Sequence, residues 1–229
     1  MKLTDIEHVF FDLDHTLWDF DRNSALAFRE IFKKQNIEID VDDFLAVYKP
    51  INFKYWELYR NNSVTKESLR YGRLKESFDS LRFETCDATI NLLADDYIEY
   101  LPNNNHLLEG SMEVLDHLRN TYKLHIITNG FEEVQQRKMV NSGIFDFFQT
   151  ITTSEEAGVK KPHPQIFEKA LQKSGALPQK SVMIGDNLEA DIVGASQFGL
   201  HAIYLRSEDQ DAQNQFIQIQ KLKELLNYL

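Results

Sequence analysis

The sequence predicts an α/β protein: a parallel sheet with helices on both faces, interrupted after its first strand by an all-helical insert. Three observations predict it. From about residue 110 onward, short apolar runs alternate with helical stripes of about ten residues, the pattern of βαβ units. Near the start, Val9-Phe10-Phe11 is apolar without alternation, as in a strand buried on both faces. Between these regions, from about residue 18 to 101, apolar residues recur at helical spacing and no convincing strand appears.

Composition narrows the function classes. The 229 residues suffice for one domain with a large core or two modest ones, and 42% hydrophobic content is that of a globular chain. Lys and Arg number 25 against 36 Asp and Glu, a net charge of −11 that argues against a nucleic-acid polymer as partner. An anionic ligand then needs local positive charge. Cys86 is the single cysteine, so no internal disulfide can form; a small buried hydrophobe in a reduced protein is expected there. The N-terminus has no signal-peptide core, and no apolar run approaches the ~18 residues that span a bilayer. A soluble, cytoplasmic protein with no membrane partner is the expectation.

The elements follow in order. His8 to Phe11 form the first strand. Ala25, Phe28, Ile31 and Phe32 mark a helix that Asn23-Ser24 can cap. Asp42-Asp43 open a second, carrying Phe44, Val47 and Tyr48, which Pro50 should break or kink before Phe53, Trp56 and Tyr59 continue an aromatic face. Thr65 to Ser68 open a third, with Leu69, Leu74 and Phe78 inside, and residues 87–101 give a fourth. Arg22, Lys54, Arg60, Arg70 and Arg73 fall on faces expected to be solvated, and Phe53, Tyr55, Trp56, Tyr59 and Tyr71 are expected mostly in the helical core. Then come a helix over 112–118, a strand over 124–128, a helix over 132–141 ended by Gly143, and a strand over 150–153. A helix over 164–174, a strand over 181–184, a helix over 188–198 and a strand over 202–205 follow. Leu222, Leu225, Leu226 and Leu229 predict a closing amphipathic helix.

Right-handed crossovers bring the carboxyl ends of all such strands to one edge of the sheet, where ligands bind. Asp12 and Asp14 follow the first strand, spaced so that both side chains point the same way. Thr128-Asn129-Gly130 follow the second, Lys160-Lys161-Pro162 precede the next long helix, and Gly185-Asp186-Asn187 follow the fourth strand with Asp191 one turn on. This set suits phosphoryl transfer. A carboxylate such as Asp12 can serve as nucleophile through an aspartyl-phosphate. Clustered carboxylates of Asp12 and Asp186 favour a hard cation, best Mg²⁺. Asp14 is then free to protonate the leaving oxygen and later to activate water. Thr128, the amides of Asn129 and Gly130, and Lys161 would hold the phosphoryl oxygens. Asp191 fits equally the first turn of a helix, favoured by its dipole.

The four segments Asp12-Leu13-Asp14-His15-Thr16, Thr128-Asn129-Gly130, Lys161-Pro162-His163-Pro164-Gln165-Ile166-Phe167 and Gly185-Asp186-Asn187 to Asp191 together resemble the haloacid dehalogenase superfamily. The resemblance implies a Rossmann-like catalytic core over 1–17 and 105–229 and a helical cap over 18–104, acting as a lid that reads the leaving group. It further implies Mg²⁺ held by Asp12, Asp186 and the backbone carbonyl of Asp14, support from Asp191 and Asn187, and Lys161 ahead of Lys160 as the catalytic lysine. His163 departs from the family pattern, which often has Asp there. The stretch Asp12 to Phe20 and the aromatic insert are similar to the house-cleaning pyrimidine 5′-nucleotidases, implying a nucleoside monophosphate as substrate. A sugar-phosphate phosphatase or a β-phosphoglucomutase-like phosphomutase is the alternative, and a monomer or homodimer is expected.

Overall fold

The computed structural model describes residues 2–207 and 215–229. Its chain order is β1 (His8–Phe11), α1 (Phe20–Gln35), α2 (Val41–Arg60), α3 (Lys66–Ser80), α4 (Asp87–Tyr100), α5 (Ser111–Leu118), β2 (Lys123–Thr128) and α6 (Glu132–Asn141). It continues with β3 (Phe148–Thr153), α7 (Ser154–Ala157), α8 (Pro164–Ser174), β4 (Ser181–Gly185), a π-helix at Leu188–Val193, α9 (Gly194–Phe198), β5 (His201–Leu205), β6 (Ile217–Ile219) and a 3₁₀ segment at Leu222–Asn227. The chain divides into two compact units, one of Met1–Phe20 with Asn105–Leu229, the other of Asp21–Asn104.

The first unit is built on a six-stranded sheet in the order β3-β2-β1-β4-β5-β6, every pairing parallel. The chain runs outward from β1 through β2 and β3, then returns to the other side of β1 with β4. That reversal opens a crevice between the carboxyl ends of β1 and β4, where α/β sheets bind ligands. All four residues of β1 are buried, as a strand covered on both faces requires. On one face Phe10, Ile127 and Met183 pack with Ile166, Phe167 and Ala170 of α8 and Ala195 of α9. Toward the other, Val9, Phe11, Ile126, Val182 and Ile184 are equally buried.

The second unit is helical and aromatic at its centre. The Phe28 ring lies 4.9 Å from Phe44, 4.8 Å from Tyr48 and 4.5 Å from Tyr97, within the range of favourable ring contacts. Asp40 caps α2 through the amides of Asp42 and Asp43, and Thr65 caps α3 through Ser68.

Several expectations give way here. α2 runs unbroken through Pro50 from Val41 to Arg60, because the tertiary packing of Phe44, Leu45, Tyr48 and Tyr59 outweighs the lost backbone bond. α1 starts at Phe20, so Asn23 and Ser24 lie inside it, and Ser24 Oγ meets the Tyr97 hydroxyl at 2.8 Å instead of capping. Arg73 is buried, not solvated: it donates to Asn52 Oδ1 at 2.9 Å with its guanidinium 4.9 Å from the Tyr97 ring. Phe53 is 60% exposed and outside the core. Cys86 is exposed at the mouth of α4, its thiol 3.4 Å from Thr89 Oγ1. The expected closing helix on Leu222, Leu225, Leu226 and Leu229 is a 3₁₀ helix at Leu222–Asn227 that buries Leu222 and Leu225. Before it the chain adds an edge strand, β6 on β5, that the sequence does not predict.

Candidate active site

The site grows from the end of β1. The Asp12 amide donates to Ile184 O at 2.9 Å, carrying the β1–β4 pairing one residue further and setting the Asp12 side chain at the crevice. Leu13 O then accepts from the amides of Leu17 and Trp18, both at 2.9 Å, which turns the chain back and leaves Asp14 beside Trp18. His15 takes φ 60° in this turn.

Lys161 is buried against the end of β1. Its Nζ lies 2.7 Å from Asp12 Oδ1, 2.6 Å from Asp191 Oδ1 and 2.7 Å from Ile127 O. Asp12 Oδ1 and Ile127 O accept hydrogen bonds from the ammonium, and Asp191 Oδ1 is its ion-pair partner. Burial alone would depress its pKa, but the Coulomb attraction of Asp12 and Asp191 outweighs burial and holds it above the ordinary lysine value. Lys160, half-buried and with its pKa lowered by burial, is not at this position.

The carboxylates crowd. Asp12, Asp186 and Asp191 each offer an oxygen within 4.8 Å of the others. Burial raises the Asp12 carboxyl to about 7, with Lys161 opposing and Asp191 and Asp14 adding to the rise. Burial, then the charges of Asp12 and Asp191, push Asp186 well above the usual carboxylate range. Thr16 Oγ1 donates to Asp186 Oδ1 at 3.2 Å. Were all four ionised, Asp12, Asp14, Asp186 and Asp191 would outnumber the ammoniums of Lys138 and Lys161, so full ionisation leaves uncompensated negative charge. Buried carboxylate oxygens with a charge deficit of this sign fit a hard divalent cation such as Mg²⁺.

Asp191 sits in the π-helix, where the expected regular helix over 188–198 gives way. Its Oδ2 accepts from the Asn187 amide at 3.1 Å, while Asn187 Oδ1 caps Ala190 N at 2.9 Å. Gly185 makes room for it: a Cβ there would stand 2.3 Å from Asp191 Oδ2. Asp191 thus stands in the first turn of the helix and also belongs to the buried cluster.

The end of β2 supplies Thr128, Asn129 and Gly130. Thr128 Oγ1 accepts from Gly130 N at 3.1 Å and from Gln135 Nε2 at 2.7 Å, which leaves its own proton for an external acceptor. The Asn129 side chain is committed to the Lys161 backbone. His163 is exposed and caps α8 through Gln165 N at 3.3 Å.

Two site residues escape the sequence reading. Gln135 Nε2 lies 3.0 Å from Asp14 Oδ2, and Lys138 Nζ lies 2.6 Å from Asp14 Oδ1. Both come from α6, whose buried stripe is Val134, Gln135, Lys138 and Met139. The signal was there: a polar pair spaced i, i+3 on the inner face of a helix that starts at a strand end. Thr16, which closes the Asp12–Thr16 segment, contacts Asp186 and not Asp14.

A model of the haloacid dehalogenase-like hydrolases matches residues 6–199 of the chain. HAD-hydrolase YfnB of Bacillus subtilis is 31% identical over 228 residues, covering 96% of this chain and 94% of YfnB. A crystal structure of YfnB bound to magnesium superposes with a TM-score of 0.87 at 29% identity, covering 97% of both chains. Pyrimidine 5′-nucleotidase YjjG of Escherichia coli is 32% identical over 89% of this chain and 87% of its own. Glyceraldehyde 3-phosphate phosphatase of Methanothermobacter thermautotrophicus is 28% identical over 96% of this chain and 100% of its own. Fold, site geometry and these similarities agree: the chain belongs to the haloacid dehalogenase-like hydrolases.

Proposed function

We propose that the protein is a Mg²⁺-dependent phosphomonoester hydrolase that works through an aspartyl-phosphate on Asp12, with pyrimidine nucleoside 5′-monophosphates as substrates. The observation that carries this reading is the Asp12 carboxylate at the β1–β4 crevice, buried beside Lys161 and facing Asp186, with Asp14 held apart on its own donors. Asp12 and Asp186, with the backbone carbonyl of Asp14, would hold the cation, which when bound offsets the repulsion between carboxylate and phosphate.

The chain's own residues supply the rest. Asp12 attacks phosphorus as the ester P–O bond breaks, and Asp14 gives its proton to the departing oxygen. Asp14, now a carboxylate, takes a proton from water as that oxygen attacks phosphorus and the bond to Asp12 breaks. Phosphate leaves and Asp12 is regenerated. The Thr128 hydroxyl, the amides of Asn129 and Gly130, and Lys161 hold the phosphoryl oxygens. Asp191 and Asn187 keep Lys161 and the β4 end in place.

The helical insert, bounded at 18–104 by sequence and at Asp21–Asn104 as a compact unit, is the cap that selects the leaving group. The similarity to YjjG supports the nucleotide reading, and the similarity to glyceraldehyde 3-phosphate phosphatase supports a small sugar phosphate as the second. The enzyme acts on a small phosphorylated metabolite in the cytoplasm, as a monomer or homodimer. No helix among the described residues is long and apolar enough to cross a membrane.

The test is phosphate release with Mg²⁺ across pyrimidine and purine monophosphates, sugar phosphates and an aryl phosphate. Preference for dUMP or dTMP, lost with chelator and with Asp12→Asn, supports the reading. A sugar phosphate turned over faster, or isomerised, replaces it with the phosphatase or mutase alternative. Turnover retained by folded Asp12→Asn removes the covalent mechanism.

A further inference from the structure

We propose that Lys138 is the positioning residue for Asp14, and that the reaction depends on it in proportion to how badly the leaving oxygen needs a proton. This rests on the hydrolase reading above, in which Asp14 is the acid and base. The two Asp14 oxygens are divided between donors from one helix: Lys138 Nζ on Oδ1 at 2.6 Å and Gln135 Nε2 on Oδ2 at 3.0 Å. The carboxylate cannot rotate without breaking both contacts.

Each donor is itself held. Gln135 Nε2 also donates to Thr128 Oγ1, and its amide fills the space beside Gly130, where a Cβ would stand 2.3 Å from that nitrogen. The Lys138 ammonium sits 4.4 Å from the centre of the Trp18 ring and 5.4 Å from that of Phe20, at cation–π distance. Trp18 is anchored in turn, its Nε1 donating to Ser142 Oγ at 3.1 Å and its backbone bridging Asp14 and Leu107.

The Lys138 side chain is 3% exposed, whereas that of Asp14 is 21% exposed. Burying an ammonium is costly, and an ordinary stabilising ion pair has no need of it. The buried partner is the fixed one, and the carboxylate it holds stays open toward a ligand. Lys161 serves Asp12 and Asp191, so the two acids that follow β1, Asp12 and Asp14, are paired with different lysines.

The Lys138 contact fixes Oδ1, so the carboxyl is held in one orientation for the transfer of its proton. That proton passes to the ester oxygen as the P–O bond breaks, while Lys138 keeps its own proton and Oδ1 in place. A good leaving group, such as p-nitrophenolate, departs without that proton; an alkoxide does not.

The experiment measures kcat/KM with Mg²⁺ for an alkyl phosphate and for p-nitrophenyl phosphate, which reports the steps through P–O cleavage. For Lys138→Met the expected loss is about 100-fold on the alkyl ester and under about 3-fold on the aryl ester. Lys138→Arg keeps the wild-type ratio within about 10-fold, and in an Asp14→Asn background Lys138→Met adds nothing further. Equal losses on both esters, a raised KM at unchanged kcat, or full additivity with Asp14→Asn overturns the proposal. If Lys138→Met melts below the assay temperature, Gln135→Leu frees the other Asp14 oxygen and is judged by the same comparison. Wild-type protein inactive on both esters overturns the hydrolase reading itself, which separates the two failures.

Discussion

Asn129 and Lys161, 32 residues apart, hold each other at two points: Asn129 Nδ2 donates to Lys161 O at 3.0 Å and the Lys161 amide donates to Asn129 Oδ1 at 2.8 Å. The pair ties the end of β2 to the loop that delivers the buried ammonium to Asp12. Ser154 Oγ, donating to Asn129 O at 3.3 Å, adds a link to α7.

Asn129→Ala removes both paired bonds at once. Two neutral hydrogen bonds contribute about 1 kcal/mol each, so a loss of about 2 kcal/mol is expected in urea unfolding. Turnover should fall by more than that loss of stability accounts for, because Lys161 keeps its charge and loses its placement. A variant destabilised to this extent but fully active would show that Lys161 is positioned by Asp12 and Asp191 alone.

Magnesium should stabilise the protein. Asp12 and Asp186 are held above the usual carboxylate range by burial and by neighbouring carboxylates, Asp191 and Asp14 at Asp12 and Asp12 and Asp191 at Asp186, and a divalent cation relieves both. At a concentration about 100 times Kd the gain is about 2.7 kcal/mol, read as a rise in Tm over protein with chelator. Asp186→Asn should remove most of that rise. No Tm response to Mg²⁺ in the wild type would rule out the Asp12–Asp186 cluster as its site.

How much of this was legible in the sequence depends on how local each signal is. Asp12, Asp14, Thr128 and Asp186 each follow an apolar run directly, so their place at a strand end can be read within a few residues. Gln135 and Lys138 lie one and two turns into a helix, where a polar residue looks like surface unless the inner stripe is already known. The π-helix at Leu188–Val193 depends on Asp191 reaching back to Asn187 and inward to Lys161, which no residue spacing encodes. β6 is only Ile217–Ile219, and it is a strand because β5 lies beside it. Arg73 reads as a surface charge until Tyr48 and Tyr97 are seen around it.

A pair of buried histidines should make folding sensitive to acid. His8 Nδ1 lies 3.0 Å from His125 Nε2, and His125 Nδ1 lies 2.9 Å from Thr150 Oγ1, a chain across β1, β2 and β3. Phe10 stacks on His125 at 4.6 Å. Burial lowers His125 to about 3, with the charges of His8 and Lys123 adding to the fall. Burial also lowers His8, with Lys123 adding and Glu7 opposing. The folded state therefore binds fewer protons than the unfolded one below the ordinary histidine pKa of about 6.5, and stability falls as pH falls through that value toward 3. Between pH 7 and 5 His125 alone accounts for about 2 kcal/mol of loss. His125→Phe should flatten that slope in unfolding curves taken at both pH values, whatever its effect on stability at pH 7. An unchanged slope would mean that the chain accepts a proton at no cost.

The chain leaves the sheet-bearing unit after Phe20 and re-enters it at Asn105, and the two flanking segments form a paired stem within that unit. Trp18 pairs with Leu107 in antiparallel fashion, Asp19 N donates to His106 O at 3.1 Å, Leu108 N donates to Leu17 O at 2.9 Å and Ser111 Oγ donates to Leu17 O at 3.0 Å. Asp21–Asn104 is thus inserted between the two sides of a stem already stitched together within the first unit. Such a stem makes the insert an interchangeable graft. Its length, helix count and surface can drift in descendants without reopening the bonds that seat Asp12 and Asp14, so selection can rewrite which molecule is chosen while leaving untouched what is done to it.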